Sequence, residues 1–233
     1  MDAELKSRWR KRIWVVAAIA IVLFGDALVS KLVFYSLCSA EGGHKIHRVA
    51  ENIDSILLDR NTIGCDGHCM ELLGKNRYPL VEVHVDSPHA EAMVPSRGNY
   101  KFYLANRGAS ECTDYEQALR KNPYLEKANY ERYGIAKSQC VASVRVNEFS
   151  SRYAYVPTRQ DDYLKLLRIS RIEKKITDRS TSEVLATSTA FARVPGGWLA
   201  GLSGFDPGND SCHTFDSSII DKVLKPAQAN HTR

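Results

Sequence analysis

Residues 164–194 read LKLLRISRIEKKITDRSTSEVLATSTAFARV and consist of two strand-forming runs on either side of a polar segment. The runs are residues 164–177 and residues 183–194, and residues 178–182 between them (DRSTS) are of types that turn readily. Two strand-like runs joined by a short turn pair as antiparallel neighbours. This part of the chain therefore predicts a long β-hairpin.

Four shorter segments upstream of the hairpin also have strand character. Residues 81–85 alternate valine with polar side chains, and residues 100–104 repeat that alternation with aromatic side chains. Residues 140–149 and 153–156 continue the series toward the hairpin. We expect these strands to form an antiparallel sheet together with the hairpin.

Two segments have helical rather than strand character. Residues 114–133 begin beside a capping residue, contain helix-favouring side chains, break at Pro123 and end before Gly134. Between residues 46 and 58 the apolar side chains have helical spacing and no clear two-residue alternation, which predicts a further helix in the latter half, at residues 51–58. Together with the strands, these segments predict an α+β fold built on an antiparallel β-sheet with a few short helices.

The N-terminus carries the signal for location. Five basic residues precede an uninterrupted apolar run at residues 13–24: Lys6, Arg8, Arg10, Lys11 and Arg12. A basic cluster on this side of an apolar segment keeps the N-terminus in the cytoplasm and leads the rest of the chain across the membrane. We therefore predict a cytoplasmic segment at residues 1–12, a transmembrane signal-anchor helix at residues 13–35, and a C-terminal domain in the periplasm.

The length of the apolar segment separates an uncleaved anchor from a removable signal peptide. The run of 12 residues is too short to cross a bilayer, which needs about 20 helical residues. Trp14 on the inside and Phe34 and Tyr35 on the outside bracket a longer segment of about 31 Å, which favours an anchor. Asp26 argues against deep burial, and a cleaved signal peptide and a buried helix of a soluble protein are the alternatives.

The rest of the chain is long enough for a single exported domain, which we place at residues 36–225 with a disordered tail at residues 226–233. The net charge is +5, but five of the positive charges lie in the N-terminal cluster, so the exported part is close to neutral. A neutral domain offers no electrostatic footprint for nucleic acid. The expected partners are the inner membrane, through the N-terminal helix, and another protein of the envelope.

All six cysteines lie on the exported side of the predicted anchor: Cys38, Cys65, Cys69, Cys112, Cys140 and Cys212. In an oxidising compartment an even number of cysteines is expected to pair, which allows up to three disulfide bonds. The spacing alone fixes no pairing. Cys65 and Cys69 are able to bridge each other if the residues between them form a turn or a short helix.

The segment Cys65-Asp66-Gly67-His68-Cys69 also contains three side chains of the types that bind zinc. A structural zinc site needs a fourth ligand and reduced thiols, so we expect a disulfide here instead of a metal site. The spacing matches neither covalent haem attachment nor the Cys-x-x-Cys of thioredoxin-like enzymes.

Four histidines are candidate metal ligands, because neutral imidazole binds many metals: His44, His47, His84 and His89. No carboxylate stands in register with them, so isolated surface histidines are the expectation. Residues 201–204 (GLSG) contain part of a nucleophile elbow around Ser203, but Phe205 replaces the final glycine. We therefore assign no catalytic, metal-binding or cofactor-binding residue, and no cofactor.

Tyrosines in or beside the predicted strands are candidates for a recognition surface: Tyr100, Tyr103, Tyr153, Tyr155 and Tyr163. Tyr153 and Tyr155 point the same way if they lie on one strand. Packing on a sheet surface also explains such residues without a ligand.

Two short blocks near the ends of the chain carry a resemblance. The first block comprises residues 37–38 (LC), 41–43 (EGG) and 45–46 (KI), and the second comprises residues 183–186 (EVLA), 196–199 (GGWL) and Cys212. Together they resemble a family of uncharacterised, membrane-anchored or secreted proteins of Gram-negative bacteria. The resemblance implies a cell-envelope location and a relationship between Cys38 and Cys212, which we hypothesise tie the two ends of the domain together. It implies no activity.

Two classes of function remain. The first is a noncatalytic binding or structural component of the envelope, a single-pass inner-membrane protein whose disulfide-stabilised periplasmic domain contacts another protein. The second is a periplasmic enzyme, either a thiol-redox protein or a metal-dependent hydrolase, that uses Cys65, Cys69 and the nearby histidines. The sequence contains no complete catalytic motif, which favours the first class.

Overall fold

The computed structural model describes residues 13–15, 29–62, 64–86, 93–122, 124–194, 210–213 and 218–227. Its strands are β1 (Gly43–Ile46), β2 (Ala50–Ile53), β3 (Ser55–Thr62), β4 (Leu80–Val85), β5 (Gly98–Asn106), β6 (Gln139–Val146), β7 (Tyr153–Leu164), β8 (Ile169–Asp178), β9 (Glu183–Arg193), β10 (Asp210–Cys212) and β11 (Leu224–Pro226). The longer helical segments among these residues are α1 (29–40), α2 (Gly67–Gly74), α3 (Thr113–Lys121), α4 (Tyr124–Tyr133) and α5 (Ser218–Val223).

The larger sheet is mixed. Its strands follow the order β1-β9-β8-β7-β3-β4-β5-β6, and β10 also pairs with β9. The central strand β3 runs parallel to both β4 and β7, whereas β5 runs antiparallel to β4 and β6. A second sheet consists of β2 and β11, which are parallel. The α+β class predicted from the sequence is confirmed, with a mostly antiparallel mixed sheet in place of a wholly antiparallel one.

The predicted long hairpin is present as β8 and β9, which are neighbours in the sheet. Its first strand begins later than expected, because residues 165–168 turn instead of extending. Lys165–Leu167 form a short 3-10 helix, and Arg168 takes a left-handed conformation with φ 53°. The turn separates β8 from β7, which reaches Leu164 and is much longer than the strand predicted at residues 153–156.

The helix predicted at residues 51–58 is wrong, because the structure has β2 and β3 there. Ile56, Leu57 and Leu58 are consecutive and all buried, and β3 lies between two parallel neighbours. A strand in this position is buried on both faces, so its apolar residues form a continuous run and show no alternation. The apparent helical spacing arises because two short strands follow one another with only Asp54 between them.

The chain divides into two compact units. The main unit comprises His44–Pro157, Lys174–Ser188 and Asp216–Arg233, and the minor unit comprises Met1–Gly43, Thr158–Glu173 and Thr189–Phe215. Each unit has its own cluster of buried apolar side chains, the larger one being in the main unit.

The core of the main unit is formed by the central strands and the helices packed on them. Val81 and Val83 of β4 and Phe102 of β5 are fully buried, as are Leu72 and Leu73 of α2. The helical insertion predicted at residues 114–133 is confirmed as α3 and α4, with the break where α3 ends and α4 begins. Apolar side chains of α3 face the core and its charged side chains face solvent, as the helical period requires.

The minor unit contains α1 and the ends of the β7–β8 and β8–β9 hairpins. Residues 1–12 and 16–28, which hold most of the predicted anchor at residues 13–35, lie outside the described residues. In the part of the chain that the structure describes, no helix is both long enough and apolar enough to cross a membrane.

Phe34 is buried in the folded protein, although we expected its aromatic side chain to lie at the membrane surface. It is 1% exposed and belongs to a cluster with Cys38, Ile169 and Phe191. Phe34 and Cys38 are four residues apart on α1, so both side chains lie on the helix face that packs against β8 and β9. The neighbouring Tyr35 remains exposed.

The second sheet includes a residue that we predicted to lie outside the domain. Pro226, which we expected in a disordered tail at residues 226–233, belongs to β11 and pairs with Ile53 of β2. Residues 228–233 lie outside the described residues, as do residues 195–209, which include the glycine-rich stretch after β9.

Candidate functional site

The six cysteines form three disulfide bonds, and none is free. Cys38 is joined to Cys212, which is the pair that the resemblance implied. The other bridges are Cys65–Cys69 and Cys112–Cys140. The sequence spacing allowed the Cys65–Cys69 bridge without requiring it. The Cys112–Cys140 bridge joins the two remaining cysteines, for which the sequence predicted no partner.

The Cys65–Cys69 bridge closes the first turn of α2. Asp66 is the N-cap of this helix, and its Oδ1 accepts hydrogen bonds of 3.1 Å from the backbone N–H groups of His68 and Cys69. Aspartate is a preferred N-cap residue because its carboxylate satisfies the first free N–H groups of a helix. Both cysteines are buried. The segment with the possible zinc ligands is therefore the N-terminus of a helix, which Asp66 caps and the Cys65–Cys69 disulfide crosslinks.

The predicted histidine candidates do not meet at one place. His44 and His47 lie in and just after β1, whereas His84 lies on β4, and four strands separate β1 from β4 in the sheet. His84 contacts Oδ1 of Asn99 at 2.6 Å and Oδ1 of Asp86 at 3.2 Å. No group of three or more potential metal ligands occurs among the described residues. His89 and the Ser203 segment lie outside them.

A buried carboxylate that the sequence did not single out lies on β4. Glu82 is 0% exposed. One carboxylate oxygen accepts hydrogen bonds of 2.9 Å from both the backbone N–H and the hydroxyl of Ser150, and the other accepts one of 2.7 Å from the N–H of Ser151. Nζ of Lys101 lies 3.5 Å from the first oxygen and donates to Oγ of Ser150 at 2.9 Å.

These contacts determine the protonation state of Glu82. Burial by itself raises the pKa of a carboxyl group, because it disfavours the charged form. Here the hydrogen bonds from Ser150 and Ser151 outweigh burial, and the pKa of Glu82 is lowered below its ordinary value. Glu82 is therefore an ion that holds the segment before β7 in place.

A second carboxylate extends the same network at the end of β8. Asp178 accepts hydrogen bonds from Nε and Nη2 of Arg152 at 2.9 and 2.7 Å, and from the hydroxyl of Ser180 at 2.6 Å. The Arg152 guanidinium lowers the pKa of Asp178 well below its usual range. Arg179 donates from Nη1 to the carbonyl oxygen of Ser151 at 2.6 Å. The turn at residues 178–182 is thus tied to the segment that also binds Glu82.

The chemistry of this network favours a positioning role. Ser150 is exposed and its hydroxyl faces a carboxylate and a lysine, which are the components that could activate a nucleophile. A general base needs a pKa near the working pH, however, and the pKa of Glu82 is shifted in the opposite direction. Lys101 is held as the ion-pair partner of Glu82. The geometry therefore indicates that Ser150 helps to hold a surface turn in place and is not an activated nucleophile.

The tyrosines predicted as a recognition surface are mostly covered. Tyr100 and Tyr155 are buried, and the other three of that group are only partly exposed. Two well-exposed tyrosines are on α4 instead: Tyr124 is 84% exposed and Tyr130 is 53% exposed. Both lie in the helical insertion predicted at residues 114–133, whose pattern indicates a helix but does not single out its exposed tyrosines.

The surface around Tyr130 is a shallow groove of about 420 Å³ with charges of both signs. It is lined by Glu126, Lys127, Tyr130, Glu131 and Lys137. Nζ of Lys137 lies 5.5 Å from the centre of the Tyr130 ring, a distance at which a cation is attracted to the ring face.

Comparison of the chain with protein-family models, with curated proteins and with solved structures found no match. The case for a function therefore depends on the disulfides, the two carboxylates and the exposed surface of α4.

Proposed function

We propose that this protein is a noncatalytic binding or structural component of the cell envelope of Gram-negative bacteria. A segment within residues 13–35 anchors it in the inner membrane, with residues 1–12 in the cytoplasm. The last residues of that range, including the buried Phe34, belong to the folded domain. The disulfide-stabilised domain lies in the periplasm and binds another envelope protein.

The pairing of all six cysteines is the observation that carries this proposal. Disulfides form and persist in oxidising compartments such as the periplasm and are rare in the cytosol. The basic cluster before the apolar run supports the same orientation, because it keeps the N-terminus on the cytoplasmic side.

Binding is favoured over catalysis by the state of the reactive groups. Cys65 and Cys69 are buried in a disulfide, so neither offers the exposed thiolate that thiol chemistry needs. Glu82 is fully hydrogen-bonded with a lowered pKa, which makes it a weak base. In contrast, α4 exposes two tyrosines, and tyrosine is enriched at protein–protein interfaces.

Intact mass measurement tests the compartment and the anchor together. The full-length protein, expressed with its own N-terminus and extracted from membranes, is compared before and after reduction under denaturing conditions. Three disulfides give a gain of about two mass units per bridge on reduction and no thiol-reagent adduct beforehand. A mass that retains residues 1–35 supports an anchor, whereas loss of that segment supports a cleaved signal peptide.

Site-directed photocrosslinking in cells tests the binding surface. Tyr124 and Tyr130 are replaced one at a time by benzoylphenylalanine, with Thr181, an exposed residue of the β8–β9 turn, as the control position. We expect one adduct of the same mass from both α4 positions and none from the control. The purified partner must then bind the full-length protein and lose affinity with Tyr130→Ala. Equal adducts from all three positions would contradict a specific surface on α4.

A thiol-redox enzyme is the second candidate, because the Cys65–Cys69 bridge lies at the N-terminus of α2. Helix N-termini stabilise thiolates and are used by disulfide oxidoreductases. Alkylation mass mapping after mild reduction of the native protein separates the two functions. A binding protein keeps the buried Cys65–Cys69 bridge intact without denaturant, whereas selective and rapid reduction of this bridge would favour the enzyme.

A further inference from the structure

We propose that the turn between β7 and β8 is a second membrane contact. In this arrangement Leu166 enters the headgroup region of the bilayer that holds the N-terminal segment, and Lys165 and Arg168 bind the phosphates of anionic lipids. The inference rests on the anchoring in the proposed function and adds a surface of the folded domain to it.

Leu166 is held away from the protein by the geometry of the turn. It is 97% exposed, whereas Leu164 and Leu167 on either side pack against the core cluster of the minor unit. The left-handed Arg168 closes the turn, with its N–H donating to the carbonyl oxygen of Lys165 at 3.1 Å. A single exposed apolar side chain is common on protein surfaces, so Leu166 indicates a membrane contact only together with the groups around it.

A hydrogen bond places this turn beside the outer end of the predicted anchor at residues 13–35. Oγ of Ser30 donates to the carbonyl oxygen of Leu167 at 2.8 Å, and Ser30 is itself buried. Ser30 follows the apolar run at residues 13–24 by six residues. The neighbouring Val29 and Leu32 on α1 are also exposed apolar residues. The turn and the start of described α1 therefore lie close together, and each carries exposed apolar side chains.

The charges around these apolar residues fit a lipid surface. Lys31 on α1 and Lys165 and Arg168 in the turn are exposed. Long basic side chains next to an inserted apolar residue extend to the level of the lipid phosphates, which is the pattern of interfacial membrane contacts. Of the nearby acidic residues, Asp161 is ion-paired with Arg159, whereas Asp162 lies 3.9 Å from Nζ of Lys165 and offsets part of its charge. Lys165 would therefore exchange an exposed carboxylate partner for a lipid phosphate.

Fluorescence quenching in vesicles tests this contact in the full-length protein. Leu166→Cys introduces the only unpaired thiol, because the six native cysteines are in disulfides, and it is labelled with an environment-sensitive nitrobenzoxadiazole probe. Tyr124→Cys provides a matched control, an exposed apolar residue of the main unit labelled in the same way. Both proteins are reconstituted in vesicles of phosphatidylethanolamine and phosphatidylglycerol that contain a lipid with a nitroxide near the headgroup.

We expect the nitroxide lipid to quench the probe at position 166 at least about threefold more strongly than the probe at position 124. Adding Lys165→Glu to the labelled Leu166→Cys protein, or omitting phosphatidylglycerol, should weaken that quenching about twofold. Equal quenching at the two positions would overturn the inference. So would a blue-shifted but unquenched probe at position 166, which would mean that protein and not lipid covers the turn.

Flotation of the same vesicles distinguishes failure of this inference from failure of the anchor. If the protein floats with the vesicles and position 166 is not quenched, the turn does not contact lipid and the anchor stands. If the protein does not float, the anchoring proposal is wrong and the contact inferred from it falls as well.

Discussion

Glu82 illustrates what a buried charge requires of its surroundings. Removing a carboxylate from water is costly unless hydrogen bonds replace those that water made. Ser150 and Ser151 provide three donors, two of them from the backbone, and Lys101 provides a positive charge nearby. Because two of the donors are backbone groups, the conformation before β7 is part of the site that keeps Glu82 ionised.

Glu82→Gln is expected to destabilise the protein by about 2–3 kcal/mol, because an amide carries donors where the carboxylate accepts hydrogen bonds and leaves buried groups unsatisfied. Urea unfolding followed by circular dichroism measures this change. Glu131→Gln is the matched control, since Glu131 is an exposed residue 3.9 Å from Lys127 and its loss should cost less than about 0.5 kcal/mol. Similar losses for the two variants would show that Glu82 is not a stabilising ion.

The stability of the wild-type protein should also decrease in acid. The pKa of Glu82 is lower in the folded protein than its ordinary value of 4.5, so its contribution is fully present above that pH and is lost as the pH falls through the folded pKa. The pKa of Asp178 is shifted in the same direction and adds to the loss at lower pH. Urea midpoints from about pH 3 to about pH 7 should therefore fall on the acidic side, and the fall should be shallower in Glu82→Gln. Parallel profiles would assign the acid sensitivity to other groups.

At the scale of elements, α2 packs closely against Tyr133 at the end of α4. Glycines at both ends of α2 leave room for this close contact. A Cβ atom on Gly74 would overlap the carbonyl oxygen of Tyr133, whereas one on Gly67 would lie 2.6 Å from the hydroxyl of the same tyrosine. The first obstacle is backbone and cannot move without shifting α4. The second is the end of a side chain, which can rotate away.

Gly74→Ala is therefore expected to destabilise the protein by about 2 kcal/mol, because it overpacks the contact between two helices. Gly67→Ala should change the stability by less than about 1 kcal/mol, since the Tyr133 ring can move and alanine favours a helix. Thermal unfolding of the two variants gives the comparison. A larger loss for Gly67→Ala would mean that the Tyr133 hydroxyl, and not its backbone, fixes the packing.

An element can be predicted from sequence when the residues that determine its structure are close to it in the chain. Patterns within a few residues predict the hairpin of β8 and β9, the strands β4 and β5, and the helices α3 and α4. The strand β3 could not be recognised, because its identity comes from parallel neighbours that are distant in sequence. The role of Glu82 was hidden for the same reason: its donors are 68 and 69 residues away, and within its strand it has the pattern of an exposed polar residue.

At the scale of the whole molecule, the cysteine pairs also show that contacts between distant residues are hard to predict from sequence. Cys65 and Cys69 are four residues apart, so their bridge depends on one turn of helix, and spacing made it a candidate. Cys38 and Cys212 are separated by 174 residues, and only the resemblance suggested them. Around this bridge the ring of His213 contacts the last turn of α1, with Nε2 3.1 Å from the carbonyl oxygen of Cys38. The minor unit thus depends on contacts between segments that are far apart in sequence.

The Cys38–Cys212 bridge should contribute roughly 2–5 kcal/mol, because it removes conformational freedom from a very long loop in the unfolded chain. Cys38→Ser, Cys212→Ser and the double variant should therefore lose the same amount of stability, since any one of them removes the whole bond. Chemical unfolding under oxidising conditions measures the three losses. As a control, combining Cys38→Ser with Cys112→Ser should give additive losses, because the two residues belong to different bridges and different units. If the losses of Cys38→Ser and Cys212→Ser instead add in the double variant, each cysteine stabilises the protein through its own packing and the bridge is not what holds the two segments together.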